Sequence, residues 1–310
     1  MRAMVTGAAG FIGVHLVARL LSEGHEVIAF DNLSSSRINN LNLIVDGDQS
    51  RFSLILGDIR DADVILKAMA GCDVVFHLAA AGSVPESIEK PLFYHENNVT
   101  GTFNVLLAAR QSGVRTVVFS SSAAVYGDKA SVPNMEGMAP FPISPYAANK
   151  LAGEAYCAAF YRSYGLQTRV FRFFNVFGPV QNPNSQYAAA IPKFISACTS
   201  GEAITIFGDG LQTRDFVYVD DVVHAMVLSC DSDESLCGQP INVATGVPIS
   251  VNKLALTIRS LMNSESEIQY LPPRPGDIRD SYASIESLKA VSFRLPISLE
   301  EGLARMVRPR

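Results

Sequence analysis

Residues 2–13 read RAMVTGAAGFIG, a short apolar run that leads into three glycines spaced as GxxGxxG. The apolar run at 2–6 predicts a buried strand, and the amphipathic pattern at 11–22 predicts a helix directly after the turn. Glycines at such a junction permit a tight turn and let the backbone approach a pyrophosphate, which the N–H groups of the helix start can bind. The stretch therefore predicts a dinucleotide site, although glycines also mark ordinary turns.

The same alternation of strand and helix patterns continues through the first half of the chain. Continuous apolar runs separated by amphipathic stretches are typical of parallel strands covered by helices on both faces. Further strands are predicted at 26–30, 52–56, 73–79, 116–121 and 168–173, and further helices at 61–70, 99–110 and 147–164. The predicted fold class is α/β, a doubly wound parallel sheet of Rossmann type with a smaller C-terminal lobe, and ligands are expected at the carboxyl ends of the strands.

Composition and charge exclude several classes of function. The 310 residues are 48% hydrophobic and 18% charged, with a net charge of −5, which disfavours nucleic-acid binding because that needs a positive face. No apolar run reaches the roughly 18 to 20 residues of a membrane span. The cysteines form no CxxC pair and the histidines have no metal-ligand spacing, so we expect reduced core thiols and no metal site. Because the first strand begins at residue 2, we expect no targeting peptide and a cytoplasmic protein.

The ends of the later strands carry residues suited to a dinucleotide. Asp31 ends the second strand, where a carboxylate can bind ribose hydroxyls and would repel a 2′-phosphate. The predicted cofactor is therefore NAD and not NADP. Residues 57–59 (GDI) end the third strand, where an adenine contact is expected, and the small residues at 78–82 (LAAAG) end the fourth. Ordinary glycine turns with Asp31 as a helix cap are the alternative interpretation.

Two later stretches, SSSAAVYG at 120–127 and SPYAANK at 144–150, suggest a catalytic centre. Tyr146 and Lys150 are four residues apart and share one face of a helix. A nearby ammonium lowers the pKa of a phenol from about 10 towards working pH, which would make Tyr146 a general base. An isolated YxxxK is weak evidence, since Tyr–Lys pairs are common on helix surfaces. We assign the strand-end hydroxyl beside it to Ser122, with Tyr126 as the alternative.

Taken together, these motifs resemble the extended short-chain dehydrogenase/reductases, and within them the UDP-glucose/UDP-N-acetylglucosamine 4-epimerase group of nucleotide-sugar epimerases. The similarity runs from residue 4 to about 283 in the family's order. The stretches that carry it are TGAAGFIG (6–13), DNLSSS (31–36), GDIR (57–60), SVPESIEKP (83–91), NNVTGT (97–102), SSSAAVYG, SPYAANK, RFFNVFG (172–178), IFGDGLQTRDFVYVDD (206–221) and RPGDIRDSYA (274–283).

The resemblance implies roles for individual residues. Tyr146 would be the base, Lys150 would orient the nicotinamide ribose and lower the pKa of the phenol, and Ser122 would assist proton transfer. The implied cofactor-binding residues are Gly7, Gly10, Phe11, Ile12, Gly13, Asp31, Asn32, Ser35, Ser36, Asp58, Ile59, Leu78, Ala79, Ala80, Asn98, Ser120, Tyr146, Lys150 and Phe173. The implied substrate-binding residues are Ser122, Tyr146, Asn175, Ala190, Ile206, Arg214, Arg274, Asp277 and Ser281.

Within the second set, Asn175 and the two arginines would contact the diphosphate, which suits a guanidinium fork, and Asp277 would bind the uridine ribose. A surface ion pair of either arginine with Asp215 or Asp277 is the alternative.

Ala123 and Ala124 narrow the reaction. In the resembling 4,6-dehydratases an Asp-Glu pair occupies these positions, because elimination of water needs an acid and a base. Two methyl groups cannot move a proton, so dehydration is disfavoured, and no feature for the carboxylate recognition that decarboxylation requires is evident. The predicted reaction is 4-epimerisation, an isomerase activity (EC 5.1.3.-). Tyr146 removes the C4 hydroxyl proton, hydride passes to NAD, and the 4-keto sugar turns over before hydride returns to its other face.

The sugar is predicted from a single position. In the group that the chain resembles, the second residue after Arg-x-Gly-Asp-x-x limits the space near the C2 substituent, and small residues there admit N-acetyl groups. That residue is Ser281. The predicted substrates are UDP-GlcNAc and UDP-GalNAc, with UDP-Glc and UDP-Gal as open alternatives. Ser281 as a plain surface residue is the other interpretation.

Domain boundaries and oligomeric state complete the prediction. Residues 1–173, with about 212–245, are assigned to an NAD-binding domain, and 174–211 with 246–310 to a UDP-sugar-binding lobe. The helices at 99–110 and 147–164 are apolar over more than one stripe, which calls for a partner face, and the resemblance implies a homodimer. Another nucleotide-sugar-modifying enzyme (dehydratase, decarboxylase or reductase) and a non-catalytic NAD-binding regulator remain alternatives, because fold does not fix function.

Overall fold

The computed structural model describes residues 1–36, 38–42, 49–128, 131–181, 189–231, 234–273, 278–290 and 297–307. The chain divides into two compact units. The first comprises Met1–Val125, Pro140–Phe173 and Val223–Ile241, and the second comprises Tyr126–Ala139, Phe174–Val222 and Asn242–Arg310. Residues 126–139, 212–222 and 242–245 thus group with the second unit, whereas the sequence-based boundaries placed them in the first. The assignment of a ligand to each range stays a prediction.

The described elements alternate between strand and helix. The strands are β1 (Arg2–Thr6), β2 (Glu26–Asp31), β3 (Phe52–Leu56), β4 (Val74–His77), β5 (Thr116–Ser122), β6 (Gln167–Phe173), β7 (Asn175–Phe177), β8 (Ile204–Phe207), β9 (Thr213–Tyr218), β10 (Pro240–Val243), β11 (Pro248–Ser250), β12 (Ile268–Leu271) and β13 (Asp280–Ser281). The helices are α1 (Phe11–Ser22), α2 (Ile38–Asn42), α3 (Ala62–Ala68), α4 (Val84–Glu89), α5 (Pro91–His95), α6 (Gly101–Gln111), α7 (Pro145–Tyr164), α8 (Ala190–Ser200), α9 (Val219–Leu228), α10 (Val251–Leu261), α11 (Glu286–Ala290) and α12 (Leu299–Val307).

A seven-stranded sheet has the strand order β10-β6-β5-β4-β1-β2-β3. The pairings from β3 through to β6 are all parallel. The chain runs outward from β1 to β3 and then returns to place β4 on the other side of β1. This reversal between β1 and β4 is the switch point at which doubly wound folds bind their ligands. The predicted fold class is therefore confirmed.

Local sequence explains where α7, the helix that contains Tyr146 and Lys150, begins and ends. The N-cap of α7 is Ser144, whose hydroxyl accepts from the backbone N–H of Ala147, and Pro145 occupies the first turn. The helix ends at Gly165, which has a left-handed φ of 72°. Its interior side chains pack under the sheet, with Cys157 and Phe160 in the same buried cluster as Val117 of β5. The predicted helix at 147–164 thus starts two residues earlier than its periodicity indicated.

Two predicted elements differ from the structure. The strand predicted at 73–79 ends at His77, because the backbone beyond it leaves the ladder and approaches Gly7. The helix predicted at 99–110 is preceded by a π-helical turn, Glu96–Thr100, before regular α-helix resumes at Gly101. Such wide turns are often found beside functional sites.

The second unit contains small sheets and several helices. One sheet has β11, β13 and β7 around β9, and β12 pairs with β8. Asp215 of β9 is fully buried and accepts hydrogen bonds from the backbone N–H groups of Thr245, Gly246 and Ala283. These bonds tie β9 to the segment before β11 and to the segment that follows β13.

Cysteines and hydropathy can be reported for the described part of the chain. All five cysteines are buried free thiols, as predicted. Burial raises the pKa of the Cys72 thiol to about 11 and that of the Cys230 thiol to about 12, which makes both unreactive. Among the described residues, no helix combines the length and apolar character that crossing a bilayer requires.

Candidate active site

Two glycines of the turn between β1 and α1 have no room for a side chain. Gly7 has a left-handed φ of 69°, and a Cβ there would lie 2.7 Å from the backbone nitrogen of Ala79. A Cβ on Gly13 would lie 2.2 Å from the carbonyl oxygen of Gly7. The β1–α1 turn is therefore packed directly against the backbone after β4, and the start of α1 stays open for an anion.

A cavity of about 250 Å³ lies beside this turn in the first unit. Its lining is formed by the ends of β1 to β4, as the switch point predicts. The predicted cofactor residues that line it are Gly7, Gly10, Asp31, Asn32, Ser35, Ser36, Ile59, Leu78, Ala79 and Ala80. Lining residues that the sequence did not assign to the cofactor include Phe30, Ser34, Glu86, Phe93 and Asn97.

Asp31 is held at the rim of this cavity by the loop around it. Asp31 is 7% exposed, and its carboxylate accepts from the backbone N–H groups of Ala9 at 2.9 Å and Leu33 at 2.7 Å. The hydroxyl of Ser36 donates to it at 3.0 Å. It does not cap α1, whose N-cap is Gly10 with no side-chain bond, so the alternative interpretation of Asp31 as a helix cap is wrong for that helix. The carboxylate still has lone pairs for a ribose hydroxyl.

Two of the remaining predicted cofactor residues, Asp58 and Asn98, contact residues that line the cavity. Asp58 is bound by Asn32 at 2.9 Å and by the guanidinium of Arg60, which holds the pKa of its carboxyl well below the usual range. Asn98, in the π-helical turn, accepts from the N–H of Ala81 at 2.8 Å and donates to its carbonyl at 2.9 Å. The two amide bonds fix the backbone that follows β4. Phe11, Ile12, Ser120 and Phe173 do not line the cavity.

The three predicted catalytic side chains meet at the end of β5. The Ser122 and Tyr146 side chains are joined by a hydrogen bond. Lys150 donates from Nζ to the backbone carbonyl of Ser120 at 2.7 Å, and its Nζ lies 5.8 Å from the centre of the Tyr146 ring. The structure therefore brings Ser122, Tyr146 and Lys150 together as predicted from the sequence.

The electrostatics of this group differ from the sequence-based expectation. Burial raises the pKa of Tyr146, and the Ser122 hydrogen bond opposes that change. Burial lowers the pKa of Lys150 to about 8, and the Glu154 carboxylate opposes this. Burial thus moves the pKa of the Tyr146 phenol away from working pH, opposite to the change expected from the Lys150 ammonium. The role of Tyr146 as general base stays a prediction.

Tyr126, the alternative hydroxyl, is engaged elsewhere. It belongs to the second unit, is 1% exposed and donates to Oδ1 of Asn242 at 2.6 Å. The N–H of Asn242 in turn donates to Glu136 at 3.0 Å. A buried phenol in such a network is a structural group, and Ser122 is left as the strand-end hydroxyl that contacts Tyr146.

These residues fit an NAD molecule. A glycine turn without room for Cβ atoms, an open helix start and a carboxylate at the cavity rim are the features that a pyrophosphate and a ribose require. Lys150 and Tyr146 lie at the carboxyl end of β5, the edge at which a nicotinamide is expected.

The second unit has its own cavity, of about 570 Å³. Four predicted substrate residues line it: Asn175, Ala190, Ile206 and Arg214. Lining residues that the sequence did not assign to the substrate include Gln181, Lys193, Phe194, Phe207 and Gln212. Three of these are polar or basic and two are aromatic, and nothing in their spacing marked them as substrate residues. Arg274 and Asp277 lie outside the described residues.

Ser281 lies in β13, where its Cα partner across the parallel pairing is Arg214 of β9. The side chain is partly exposed. The carboxylate of Asp215 accepts hydrogen bonds from Thr245, Gly246 and Ala283. These contacts do not support the alternative in which Asp215 forms an ion pair with Arg214. Among the described residues, His, Cys, Asp and Glu side chains form no group that could hold a metal ion.

Comparison with known proteins agrees with this geometry. The model of the NAD dependent epimerase/dehydratase family matches residues 3–244. A UDP-glucose 4-epimerase from Mycolicibacterium smegmatis is 41% identical over 310 residues, which are 99% of this chain and 97% of that protein.

Two solved structures are similar over nearly the whole chain. One is a UDP-N-acetylglucosamine 4-epimerase from Methanobrevibacter ruminantium M1 in complex with UDP-N-acetylmuramic acid, with 42% identity, a TM-score of 0.93 and coverage of 99% of this chain and 96% of that one. The other is a UDP-glucose 4-epimerase from Thermotoga maritima with UDP-glucose, with 36% identity, a TM-score of 0.93 and coverage of 99% and 97%.

The similarities confirm three predictions made from the sequence: the resemblance to the epimerases, the NAD cofactor and an isomerase activity. The site residues are consistent with them, since a glycine turn, an acidic strand end and a Ser-Tyr-Lys group occur together at one edge of the sheet. The chain belongs to the NAD-dependent epimerase/dehydratase family.

Proposed function

We propose that this chain catalyses the NAD-dependent 4-epimerisation of a UDP-hexose, with UDP-GlcNAc and UDP-GalNAc as its substrate pair. The observation that carries the proposal is the end of β5, where Ser122 bonds Tyr146 and is followed by Ala123 and Ala124. The turn places only methyl groups after the catalytic hydroxyl. Tyr146 and Ser122 can transfer a proton at the sugar's C4 oxygen. Ala123 and Ala124 offer no acid or base for the elimination of water.

Each proton step can be assigned to a residue of this chain. Tyr146 takes the proton of the C4 hydroxyl and returns it after the keto sugar has turned over, while Ser122 shares that proton through its hydrogen bond. Lys150 keeps a positive charge within 5.8 Å of the phenol ring and is oriented by the Ser120 carbonyl. NAD, when bound, supplies the acceptor for the C4 hydride, its source on return, and further positive charge. Because hydride is returned, no co-substrate is consumed.

The UDP part of the substrate is assigned to the cavity of the second unit. Arg214 offers a guanidinium, and Lys193 an ammonium, for the two phosphates. Asn175 contributes a carboxamide whose Nδ2 already donates to the backbone carbonyl of Asp215 at 3.1 Å, which fixes its orientation. Phe207 adds an aromatic ring to the lining, suited to a pyrimidine.

The preference for N-acetylhexosamines rests on Ser281. Its small side chain lies beside Arg214 in the β13–β9 pairing, next to the residue assigned to phosphate. A relative named UDP-N-acetylglucosamine 4-epimerase with 42% identity supports the same choice.

The decisive experiment follows anomeric proton signals by NMR. Purified protein is incubated separately with UDP-GlcNAc and UDP-Gal, without added NAD. Conversion of each sugar to its C4 epimer is expected, faster for UDP-GlcNAc. A stoichiometric 4-keto-6-deoxy product would identify a dehydratase, and released NADH would identify a net oxidoreductase. Absence of any turnover while UDP-sugar still binds would support the non-catalytic regulator.

We also propose that the enzyme is a homodimer. The aromatic residues Phe103 of α6 and Tyr156 and Tyr164 of α7 are 36%, 37% and 53% exposed, and the Phe103 and Tyr156 rings pack edge to face at 5.3 Å. An exposed aromatic face shared by two long helices suits a second copy of the same face, since two-fold interfaces are self-complementary. Light scattering on the purified protein tests this, and a monomer at micromolar concentration would refute it.

A further inference from the structure

The three serines at the end of β5 each contact a different residue of one stripe on α7. This stripe, Tyr146, Lys150 and Glu154, has the four-residue spacing that places side chains on one helix face. Tyr146 bonds the Ser122 hydroxyl, and Lys150 bonds the Ser120 carbonyl at 2.7 Å. The hydroxyl of Ser121 donates to Oε1 of Glu154 at 2.5 Å. Two of the three contacts belong to the proposed catalytic group, and the third has no assigned role.

Glu154 is also bound from the neighbouring strand. Arg172 of β6 donates from Nε to Oε1 at 2.9 Å and from its terminal nitrogen to Oε2 at 2.7 Å. Both residues are buried, with exposures of 7% and 2%. Ser121 and Arg172 are Cα partners in the β5–β6 pairing, so both donors lie side by side on the sheet. The carboxylate of Glu154 is therefore a single point at which α7, β5 and β6 are joined.

We propose that Glu154 is a positioning residue, which fixes the register of α7 against the end of β5 and keeps Lys150 cationic beside Tyr146 and Ser122. The inference rests on the proposed function. A bidentate Arg–carboxylate pair is held by two parallel hydrogen bonds, which a single hydrogen bond is not. The pair therefore limits how far α7 can slide or rotate against β6. Tyr146 lies about two helical turns from Glu154, and a shift of about 1 Å there would break the Ser122–Tyr146 contact.

The charge of Glu154 also affects Lys150, because a nearby anion favours the protonated form of a lysine. Burial lowers the pKa of Lys150 to about 8, and Glu154 opposes that change. The other groups that face Lys150 are the Tyr146 and Phe119 rings, with Phe119 at 5.3 Å, and His77 of β4. Burial and the Lys150 charge lower the pKa of His77 to about 3, so His77 is neutral throughout the working range. Glu154 is thus the anion that favours the ammonium form of Lys150.

The test measures the titration of Lys150 directly. Protein labelled with ¹³C at lysine Cε is titrated by NMR, and the Lys150 signal is assigned by its loss in Lys150→Met. Glu154→Gln combined with Arg172→Gln removes both charges and keeps a hydrogen-bonded pair, which avoids an unpaired buried guanidinium. We expect Lys150 to titrate about one pH unit lower in this double variant, and the basic limb of kcat to move with it.

Control variants separate position from stability. Glu154→Asp keeps the charge and should leave the Lys150 titration near that of the wild type while lowering kcat. Ser121→Ala should lower kcat about tenfold with KM unchanged. Ser229→Ala removes another buried hydroxyl, which donates to the carbonyl of Met226 at 2.7 Å and does not contact the stripe. This variant should change neither the Lys150 titration nor kcat.

The outcomes are distinct. A folded double variant with the wild-type Lys150 titration and pH profile overturns the inference. If that variant does not fold, Ser121→Ala decides, and an unchanged kcat overturns it. If the wild type shows no epimerase turnover but Lys150 titrates lower in the double variant, then the proposed function fails while the electrostatic role of Glu154 stands.

Discussion

Lys150 donates a hydrogen bond from Nζ to the backbone carbonyl of Ser120, and by this contact helix α7 is anchored to the carboxyl end of β5. The lysine is 5% exposed, so its charge is held almost entirely out of water. A buried ammonium destabilises the folded state, and such groups are concentrated at functional sites. The contact therefore links the stability of this fold to its chemistry.

Replacement of Lys150 by Met should stabilise the protein and abolish turnover. The pKa of Lys150 is lowered from 10.5 to about 8, so between these values the unfolded chain binds more protons, and stability rises with pH. At pH 7 the wild type carries the full destabilisation. We expect Lys150→Met to unfold in urea with a free energy about 2 kcal/mol higher at pH 7, after the lost Ser120 bond is deducted.

The advantage of Lys150→Met should shrink between about pH 8 and pH 10.5, because over this range the folded-state lysine is largely neutral while the unfolded-state lysine still binds protons. Unfolding curves at pH 7 and pH 10 measure this. A variant that is less stable than the wild type at pH 7 would contradict the argument.

Tyr146→Phe should lower kcat at least a hundredfold without a loss of stability, since general acid–base residues contribute about 10²–10⁴ in rate. Burial raises the pKa of the phenol, so its removal relieves no buried charge. NMR of the sugar anomeric protons measures kcat.

Tyr126→Phe is the matched control for that variant. It also removes one buried hydroxyl, which donates to Asn242 at 2.6 Å, and should destabilise the fold by about 1–2 kcal/mol while leaving kcat within a few-fold. If Tyr126→Phe instead lost activity and Tyr146→Phe kept it, Tyr126 would be the proton-transfer group.

The sequence predicted the parts of this fold that depend on local pattern. The strands β1, β3 and β6, the helices α1 and α7, and the group Ser122, Tyr146 and Lys150 follow from periodicity and spacing. The role of Glu154 could not be predicted, because a glutamate on a helix is ordinarily exposed. Only the strand pairing that sets Ser121 beside Arg172 makes it a buried partner. The raised pKa of Tyr146 was also missed, since burial cannot be read from a YxxxK motif.

Gly13→Ala should abolish NAD binding and destabilise the first unit by several kcal/mol. The new Cβ would lie 2.2 Å from the Gly7 carbonyl, a backbone atom that cannot move without distorting the turn. Fluorescence titration with NADH and thermal unfolding measure the two effects.

Gly82→Ala provides the control for the glycine turn, because Gly82 lines the same cavity and a Cβ there has no atom within 4 Å. It should change stability by less than about 1 kcal/mol. Equal effects of the two substitutions would show that the close packing of the turn is not what matters.

Asp31→Asn should weaken NAD binding about tenfold and reduce the preference for NAD over NADP. The carboxylate accepts bonds from Ala9, Leu33 and Ser36, and its charge at the cavity rim repels a 2′-phosphate. Titration of protein freed of nucleotide with NADH and NADPH measures both affinities. Ser36→Ala, which removes one partner but keeps the charge, should leave the preference unchanged. If Asp31→Asn and the wild type discriminate equally, another residue excludes NADP.

Ser281→Tyr should convert the enzyme from an N-acetylhexosamine epimerase to one restricted to plain hexoses. The residue is small and partly exposed, and its pairing with Arg214 places it beside the residue assigned to phosphate. A phenol at this position would occupy the volume proposed for the N-acetyl group, and the resulting clash rejects one substrate while leaving contacts to the other in place. We expect kcat/KM for UDP-GlcNAc to fall at least a hundredfold, and that for UDP-Gal to fall by less than fivefold.

Ser281→Ala, which keeps the residue small, should leave both values near those of the wild type. Parallel loss of both activities in Ser281→Tyr would mean that the tyrosine displaces Arg214, because phosphate binding is common to both substrates. Retention of both would place the sugar's C2 substituent elsewhere.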